Sequence, residues 1–256
     1  MKNTQGHTAL RAFIVTLGTV GLLAACGGGG GSDASSTEPT PTPTVFTPSK
    51  LQGRWSSTGA TAATSYTAII LPGAGNTANV WLLSQNLSHL NVLSINDQAV
   101  FSGKTYALGS SSTPITATGT VVADLTSSTK TLSLNGANSE VLQITLQDAL
   151  TQPASLADTA GNWTGSVSSG VQTLNFSIAS QTGILSGTST TGCTYSGNLV
   201  AVSNANAFIS TLNENCPDGS TANFEGIATL NTDKNRLTIV AATPTQTSGL
   251  VLLLSK

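Results

Sequence analysis

The fold is decided by a segment that reads Ile115-Thr116-Ala117-Thr118-Gly119-Thr120-Val121-Val122-Ala123-Asp124-Leu125. Its odd-numbered positions are apolar or glycine, whereas its even-numbered positions are mostly polar. Because successive side chains of a β-strand point to opposite faces, this period of two predicts a strand with one face on a core and the other in water. The same alternation recurs further along the chain in Leu174-Asn175-Phe176-Ser177-Ile178.

Turn-forming residues interrupt these alternating segments at short intervals, as in Pro72-Gly73, Asn96-Asp97 and Pro217-Asp218-Gly219. No stretch of the chain beyond Cys26 has a convincing helical period with caps at both ends. Many short strands joined by turns of this kind predict an all-β sandwich or barrel.

The globular sequence contains an internal repeat. Gly53-Arg54-Trp55-Ser56 matches Gly161-Asn162-Trp163-Thr164 at an offset of 108 residues. Phe101 precedes Gly119 by 18 positions, and Phe208 precedes Gly226 by the same spacing, so these pairs are offset by 107. Several matches in order at a nearly constant offset indicate a duplication, with its boundary near Pro153.

Each copy has room for about eight strands. In the second copy we expect them near residues 161–167, 171–180, 183–188, 194–203, 207–213, 221–231, 236–242 and 249–255. Consecutive strands joined by short turns predict an antiparallel meander, and eight strands can close into a small barrel without exposed edges. We therefore predict two tandem meander barrels, one over residues 51–150 and one over 154–256. Copies this short predict barrel interiors filled by their own side chains.

The first 25 residues have the pattern of a signal peptide. Lys2, His7 and Arg11 precede an uncharged, mostly apolar run over residues 12–23. The run is about a dozen residues long, whereas a membrane-spanning helix needs about 20. We expect residues 26–50, which contain five consecutive glycines and a Thr-Pro repeat, to form a disordered tether.

The stretch Leu23-Ala24-Ala25-Cys26 resembles the lipobox of bacterial lipoproteins. This resemblance implies cleavage before Cys26 and acylation of Cys26 by diacylglycerol and, in many bacteria, a third chain such as palmitate. Two or three acyl chains anchor a protein stably to a membrane. Gly27 stands where an Asp would retain an enteric lipoprotein in the inner membrane, so the resemblance implies the outer membrane. The alternative is an ordinary secretory signal with a chance cysteine.

Two further resemblances concern the globular copies. The Gly-x-Trp at Trp55 and at Trp163 resembles the lipocalin (calycin) superfamily, in which the indole plugs one barrel end; the simpler reading is a tryptophan that seals a core. The junction over residues 153–163, with Gly192-Cys193, Cys216 and Phe224-Glu225-Gly226, resembles a group of uncharacterised proteobacterial lipoproteins. These resemblances imply a location and a shape, and they imply no activity.

Cys193 and Cys216 remain after Cys26 is assigned to the lipid. In a compartment that permits disulfides, we expect them to form a structural bridge. It would close a loop of roughly two dozen residues and contribute on the order of 3 kcal/mol. A redox or metal pair is the alternative, but the spacing is not Cys-x-x-Cys and no histidine lies nearby in sequence.

The sequence offers little for catalysis or for nucleic acid. His89 is the single histidine beyond Cys26, no Gly-x-Ser-x-Gly elbow is present, and we interpret His89 as a surface residue on a strand. Charged residues are 8% of the chain, and removal of Lys2 and Arg11 leaves seven basic and eleven acidic side chains, a formal charge of −4. We predict no enzyme activity, no metal, no cofactor and no nucleic-acid binding.

The favoured function is a non-catalytic binding or interaction module, anchored through Cys26 at the outer membrane or cell surface, with another envelope protein or a host protein as its partner. The alternative is a lipocalin-like carrier of a small apolar ligand, which needs a cavity of several hundred Å³. A hydrolase is less favoured, because it would need a carboxylate pair facing a cleft.

Overall fold

The computed structural model describes residues 46–57, 64–109, 113–148, 152–167 and 172–256, without the side chain of residue 167. Residues Thr44–Lys256 form one compact unit. The predicted signal peptide, Cys26 and most of the predicted tether lie outside the described residues. Within the described part, no helix is long and apolar enough to cross a membrane.

Barrel 1 is an antiparallel meander of eight strands that closes on itself. A short 3₁₀ helix, Pro48–Leu51, precedes it. The strands are β1 Gly53–Ser56, β2 Tyr66–Pro72, β3 Ala78–Ser84, β4 His89–Ile95, β5 Val100–Ala107, β6 Ile115–Asp124, β7 Thr131–Gly136 and β8 Val141–Leu146. Pairing of β1 with β8 closes the barrel, with Trp55 opposite Leu146 and Ser56 opposite Thr145.

Barrel 2 repeats this plan after a four-residue helix, α1 Leu156–Thr159. Its strands are β9 Gly161–Val167, β10 Thr173–Ile178, β11 Ile184–Ser189, β12 Thr194–Ala201, β13 Phe208–Asn215, β14 Thr221–Leu230, β15 Arg236–Ala242 and β16 Gly249–Ser255. Pairing of β16 with β9 closes it. The predicted all-β fold of two eight-stranded barrels is confirmed, and the predicted strands of the second copy differ from the observed ones mainly by a few residues at their ends.

The alternation that predicted β6 matches its burial. Val121 points into barrel 1 and is buried, whereas the next residue, Val122, is 62% exposed. In β10, Leu174, Phe176 and Ile178 are buried while the residues between them are exposed. A shift of one residue in pairing would exchange the two faces, so this pattern fixes the register of both strands.

Each tryptophan of the Gly-x-Trp motifs seals one end of its barrel. The indole N–H of Trp55 donates to the carbonyl oxygen of Leu51 at 2.9 Å, and that of Trp163 donates to the carbonyl oxygen of Thr159 at 2.7 Å. Both acceptors lie four residues earlier, at the end of the short helix before the first strand. Both indoles are buried among apolar side chains of their own barrel. The reading of each tryptophan as a core seal therefore fits both barrels.

The two barrels pack against each other through a third apolar cluster. Barrel 1 contributes outward-facing residues that include Ile69, Leu71 and Tyr106, and barrel 2 contributes residues that include Val240 and Val251. A Cβ added at Gly249 would lie 2.8 Å from ring atoms of Tyr106, so the two surfaces are in close contact.

This contact explains two continuous apolar runs that do not alternate. Residues 68–71 and 239–242 are buried at every position. One face of each run packs inside its own barrel, and the other face packs against the neighbouring barrel. A strand covered on both faces needs no polar face.

The strand registers also correct one of the sequence matches between the copies. Phe101 lies opposite Gly119, but the residue opposite Gly226 is Ser210. Phe208 lies two residues before Ser210, at the next inward-facing position of β13, and it is opposite Ala228. The two phenylalanines are therefore not equivalent, although Gly119 and Gly226 are.

Candidate functional site

The described residues of barrel 1 leave a cavity at the end opposite to Trp55, which we call the mouth. A cavity of about 670 Å³ lies there, surrounded by residues of β2 to β8 and by the β7–β8 turn. Its inner part is apolar and includes Leu82, Leu93, Phe101 and Leu134. The prediction of a filled interior is therefore wrong for this half of barrel 1, because an open space of ligand size is present.

Exposed apolar side chains stand at the rim of the mouth. Ile115 at the start of β6 is 71% exposed, and Val141 at the start of β8 is 68% exposed. Both line the cavity. A large aliphatic side chain that is exposed beside a cavity is ready to contact whatever enters it.

Two neighbouring strands of barrel 1 carry small residues in the layer below the mouth. Gly103 lies opposite Ala117, and both face the interior of barrel 1. When the registers are followed from the two tryptophans, the equivalent pair in barrel 2 is Leu212 opposite Phe224, and both of these are buried. Barrel 2 therefore fills these two positions. In barrel 1 the large side chain of this layer is instead Leu93, opposite Gly103, where barrel 2 has Gly197.

The next layer toward the mouth holds a polar pair in both barrels. In barrel 1 the hydroxyl of Thr105 donates to Oδ1 of Asn91 at 2.6 Å. The equivalent pair in barrel 2 is Tyr195 and Glu214, and the phenol donates to Oε1 of Glu214 at 2.6 Å. Burial and the hydrogen bond to Glu214 raise the pKa of Tyr195 to about 12. The phenol therefore stays neutral and occupies space that Asn91 leaves open.

A disulfide joins two neighbouring strands at the mouth of barrel 2. Cys193 precedes β12, Cys216 follows β13, and the two are joined beyond the pair formed by Thr194 and Asn215. The predicted bridge is confirmed. Glu214 lies within 4.8 Å of both sulfur atoms, but sulfurs bonded to each other are not thiolates, so this group does not have the ligands that a metal site needs.

The structure places His89 differently from the sequence interpretation. His89 begins β4, is half-buried and lines the mouth of barrel 1. Its Nδ1 is 2.7 Å from the hydroxyl oxygen of Ser88, which in turn lies 2.7 Å from Oδ1 of Asn86. The Ser88 hydroxyl has one proton for these two neighbours, so the network stabilises the β3–β4 turn and does not form a hydrolase triad.

The charge of the cavity lining is low and negative. Glu140, in the turn before β8, is the one carboxylate among the described lining residues, and it is exposed. Tyr66 at the start of β2 also lines the cavity, and its pKa is raised by burial and by the negative charge of Glu140. The pair of carboxylates that a glycosidase would need is not found among the described residues of this lining.

A second concavity, of about 480 Å³, lies on barrel 2 and is more open to solvent. It is bordered by polar side chains that include Asn175, Ser177 and Thr188, together with Trp163 and Phe176. This concavity is smaller and more open, so a ligand would bury less surface there, and the mouth of barrel 1 is the stronger candidate site.

The sequence reasoning did not find the mouth of barrel 1. A usable signal was present, because the repeat places Gly103 and Ala117 where the second copy has Leu212 and Phe224. Recognising that signal requires β5 to be aligned correctly with β13, and only the strand registers supply this alignment. The sequence match of Phe101 with Phe208 aligns these two strands incorrectly, because Ser210 is the residue equivalent to Phe101.

The sequence matches no protein-family model, and no curated protein sequence matches it significantly. In structure, the chain is similar to the isotype 1 transferrin binding protein B (TbpB) from serogroup B Neisseria meningitidis. The two share 11% sequence identity with a TM-score of 0.27, and the match covers 75% of this chain and 58% of that chain. The chain thus spans less than two thirds of that protein's length, and this distant likeness carries no conclusion about function.

Proposed function

We propose that this protein is a non-catalytic binding protein of the bacterial envelope and that barrel 1 binds a small, largely apolar molecule in its mouth. The observation that carries this proposal is the cavity of about 670 Å³, with Leu82, Leu93, Phe101 and Leu134 on its inner part. Ligand sites are typically concave, mostly apolar and of this size class. Barrel 2, filled by Leu212, Phe224 and Tyr195, then acts as the packed support of barrel 1.

We also propose, from the N-terminal sequence, that the protein is located at the outer membrane. The segment Leu23-Ala24-Ala25-Cys26 fits a lipid anchor at Cys26 in the outer membrane. The glycine- and proline-rich residues that follow would then serve as a spacer between the membrane and the barrels.

A second candidate is an interaction module whose partner is an envelope or host protein. The exposed rim residues Ile115 and Val141 favour this alternative, because large exposed aliphatic side chains contribute to protein interfaces. A binding site for a small molecule has to admit that molecule into the cavity, whereas an interaction module does not. Binding of a small probe therefore distinguishes the two candidates.

Binding is tested with N-phenyl-1-naphthylamine, an uncharged fluorophore that brightens in apolar sites. The full-length protein carries Cys26→Ser, so that no acyl chain and no detergent competes for the probe. We expect saturable binding, with roughly tenfold or greater loss in Ala117→Phe, because the new ring fills the layer that Phe224 fills in barrel 2.

Val122→Phe is the matched control for this experiment. It introduces the same side chain on the same strand, but on the outer face, where Val122 is 62% exposed. Binding that is absent, or that both variants weaken equally, would contradict a ligand site in the mouth and favour the interaction module.

The anchor is tested by fractionation of cells that express the native chain or Cys26→Ser. We expect the native protein in the outer-membrane fraction with an acylated N-terminal residue detected by mass spectrometry. We expect the variant to be released from the membrane, because a single residue carries the acyl chains. A native protein without acyl mass would refute the lipoprotein assignment and leave the secretory signal.

A further inference from the structure

The charge distribution around the mouth of barrel 1 restricts the ligand chemistry. No lysine or arginine is among the described residues that line the cavity. Lys104 is on the neighbouring part of β5, and its position directs it to the outer face. Its Nζ lies there 2.9 Å from the hydroxyl of Thr116, a residue at the edge of the cavity. Among the described lining residues, a carboxylate or phosphate would therefore find no lysine or arginine. The imidazole of His89 also lines the cavity, but its Nδ1 is engaged with the Ser88 hydroxyl, and burial of an unpaired charge is costly.

The charged group that does line the cavity is negative. Glu140 and Tyr66 both line the cavity, and the pKa of Tyr66 is raised by burial and, to a smaller extent, by the charge of Glu140. An anionic ligand head at this rim would be repelled by Glu140, whereas an uncharged head would meet the neutral hydroxyl of Tyr66.

The layer between the rim and the apolar interior contains a hydrogen-bond donor that is available to a ligand. Oδ1 of Asn91 accepts from Thr105 at 2.6 Å, and the described hydrogen bonds of this side chain use no other atom. The amide nitrogen of Asn91 therefore keeps two hydrogens for an oxygen atom of a ligand. Leu93, two residues further along β4, already belongs to the apolar interior.

We infer that the mouth of barrel 1 selects an uncharged apolar molecule that carries a carbonyl or hydroxyl oxygen, and that it rejects carboxylates and phosphates of similar shape. The apolar body lies against Leu82, Leu93 and Phe101, and the oxygen accepts a hydrogen bond from the amide of Asn91. This inference rests on the proposed function, because it concerns the same cavity, and it adds the chemical class of the ligand.

The charge preference is tested with two probes of the same skeleton. N-phenyl-1-naphthylamine is uncharged, and 8-anilinonaphthalene-1-sulfonate differs from it by one sulfonate group. In the Cys26→Ser background we expect the uncharged probe to bind roughly tenfold or more tightly than the sulfonate. Equal or tighter binding of the sulfonate would overturn the inference and leave the ligand site itself intact, whereas failure of both probes would remove the proposed function as well.

Ile115→Lys adds a positive charge at the rim without disturbing the core, because Ile115 is 71% exposed. We expect this variant to bind the sulfonate several-fold more tightly than the parent does, with little change for the uncharged probe. Val122→Lys places the same charge on the outer face of the same strand and is the matched control. An unchanged affinity of Ile115→Lys for the sulfonate would overturn the charge argument.

The role of Asn91 is tested with 6-propionyl-2-(dimethylamino)naphthalene, an uncharged fluorophore with a ketone oxygen. We expect Asn91→Ala to weaken its binding about fivefold, which is the size of one hydrogen bond. The same variant should change the binding of N-phenyl-1-naphthylamine less, because that probe has no carbonyl acceptor. Equal effects on both probes would contradict the assigned hydrogen bond.

Discussion

Barrel 1 and barrel 2 share an eight-stranded meander and a tryptophan that hydrogen-bonds to the preceding helix, but they differ at the mouth. In barrel 2 the mouth holds Leu212, Phe224, Tyr195 and a disulfide. In barrel 1 the equivalent layers hold Gly103, Ala117 and Asn91, and a cavity of about 670 Å³ remains. The two copies of one barrel therefore differ in whether a cavity remains at the mouth, and a few inward-facing side chains account for that difference.

The sealed ends explain how this difference is tolerated. In both barrels the tryptophan end is closely packed, because Trp55 and Trp163 are each only 1% exposed. Barrel 1 is also covered on one outer face by barrel 2, through Ile69, Leu71 and Tyr106. The cost of an incompletely filled interior is therefore offset by burial elsewhere.

The largest expected effect comes from opening barrel 2. Phe224→Ala removes a buried ring, so we expect the free energy of unfolding to fall by about 3–5 kcal/mol in urea titrations followed by circular dichroism. Ala117→Phe, the reverse change in barrel 1, should lower the free energy of unfolding far less, because the new ring enters the existing cavity. A loss below about 1 kcal/mol for Phe224→Ala would mean that the mouth of barrel 2 is not packed as described.

Removal of the disulfide should have the next largest effect. Cys193 and Cys216 are 23 residues apart in sequence, and we expect the double change to alanine to lower the free energy of unfolding by about 3 kcal/mol. A reductant should destabilise the parent protein by a similar amount and leave the double variant unchanged. Equal effects of the reductant on both proteins would show that it acts elsewhere.

The smallest effect concerns the polar pair of barrel 2. Tyr195→Phe should cost about 1 kcal/mol at neutral pH, because it removes the hydrogen bond to Glu214. The pKa of Tyr195 rises from 10.0 to about 12 in the folded protein, so the unfolded chain loses this proton first as the pH increases. The stability linked to this proton is therefore complete below pH 10 and is lost between pH 10 and about 12.

Denaturant titrations between pH 9 and 12 measure this dependence. We expect the decline to be steeper in the parent protein than in Tyr195→Phe. Thr105→Val is the matched control, because it removes the equivalent hydrogen bond of barrel 1 without removing a titrating group. A decline that is identical in parent and Tyr195→Phe would contradict the raised pKa of Tyr195.

Much of the fold follows from local patterns in the chain. The period of two over Ile115–Asp124 predicts β6, and the spacing of turns predicts the number of strands in barrel 2. The pairing of Cys193 with Cys216 also follows, because no other cysteine lies outside the predicted signal and tether. The strands are predicted from residues that are close in sequence, and the disulfide is predicted from the number of cysteines.

Other features depend on contacts that local patterns do not encode. The sequence interpretation placed His89 on the surface, because its apolar neighbours Leu87, Leu90 and Val92 favoured a strand with His89 on the side facing water. Leu90 and Val92 instead face the neighbouring barrel, and His89 lines the cavity. The contact between the barrels, which covers the outer face of β4, is a tertiary feature without a sequence signature of its own.

The sequence by itself determined that this protein is built from two eight-stranded barrels with one bridge, because strand periodicity, turns and cysteine count are local properties. Only the tertiary structure decided which barrel is open. That outcome depends on the summed volume of residues that meet across strands, such as Gly103 with Ala117 and Leu212 with Phe224. A Cβ added at Gly103 would collide with the carbonyl oxygen of Val92, so the close approach of β4 requires glycine there. The cavity in which we propose a ligand binds is lined by its partner Ala117.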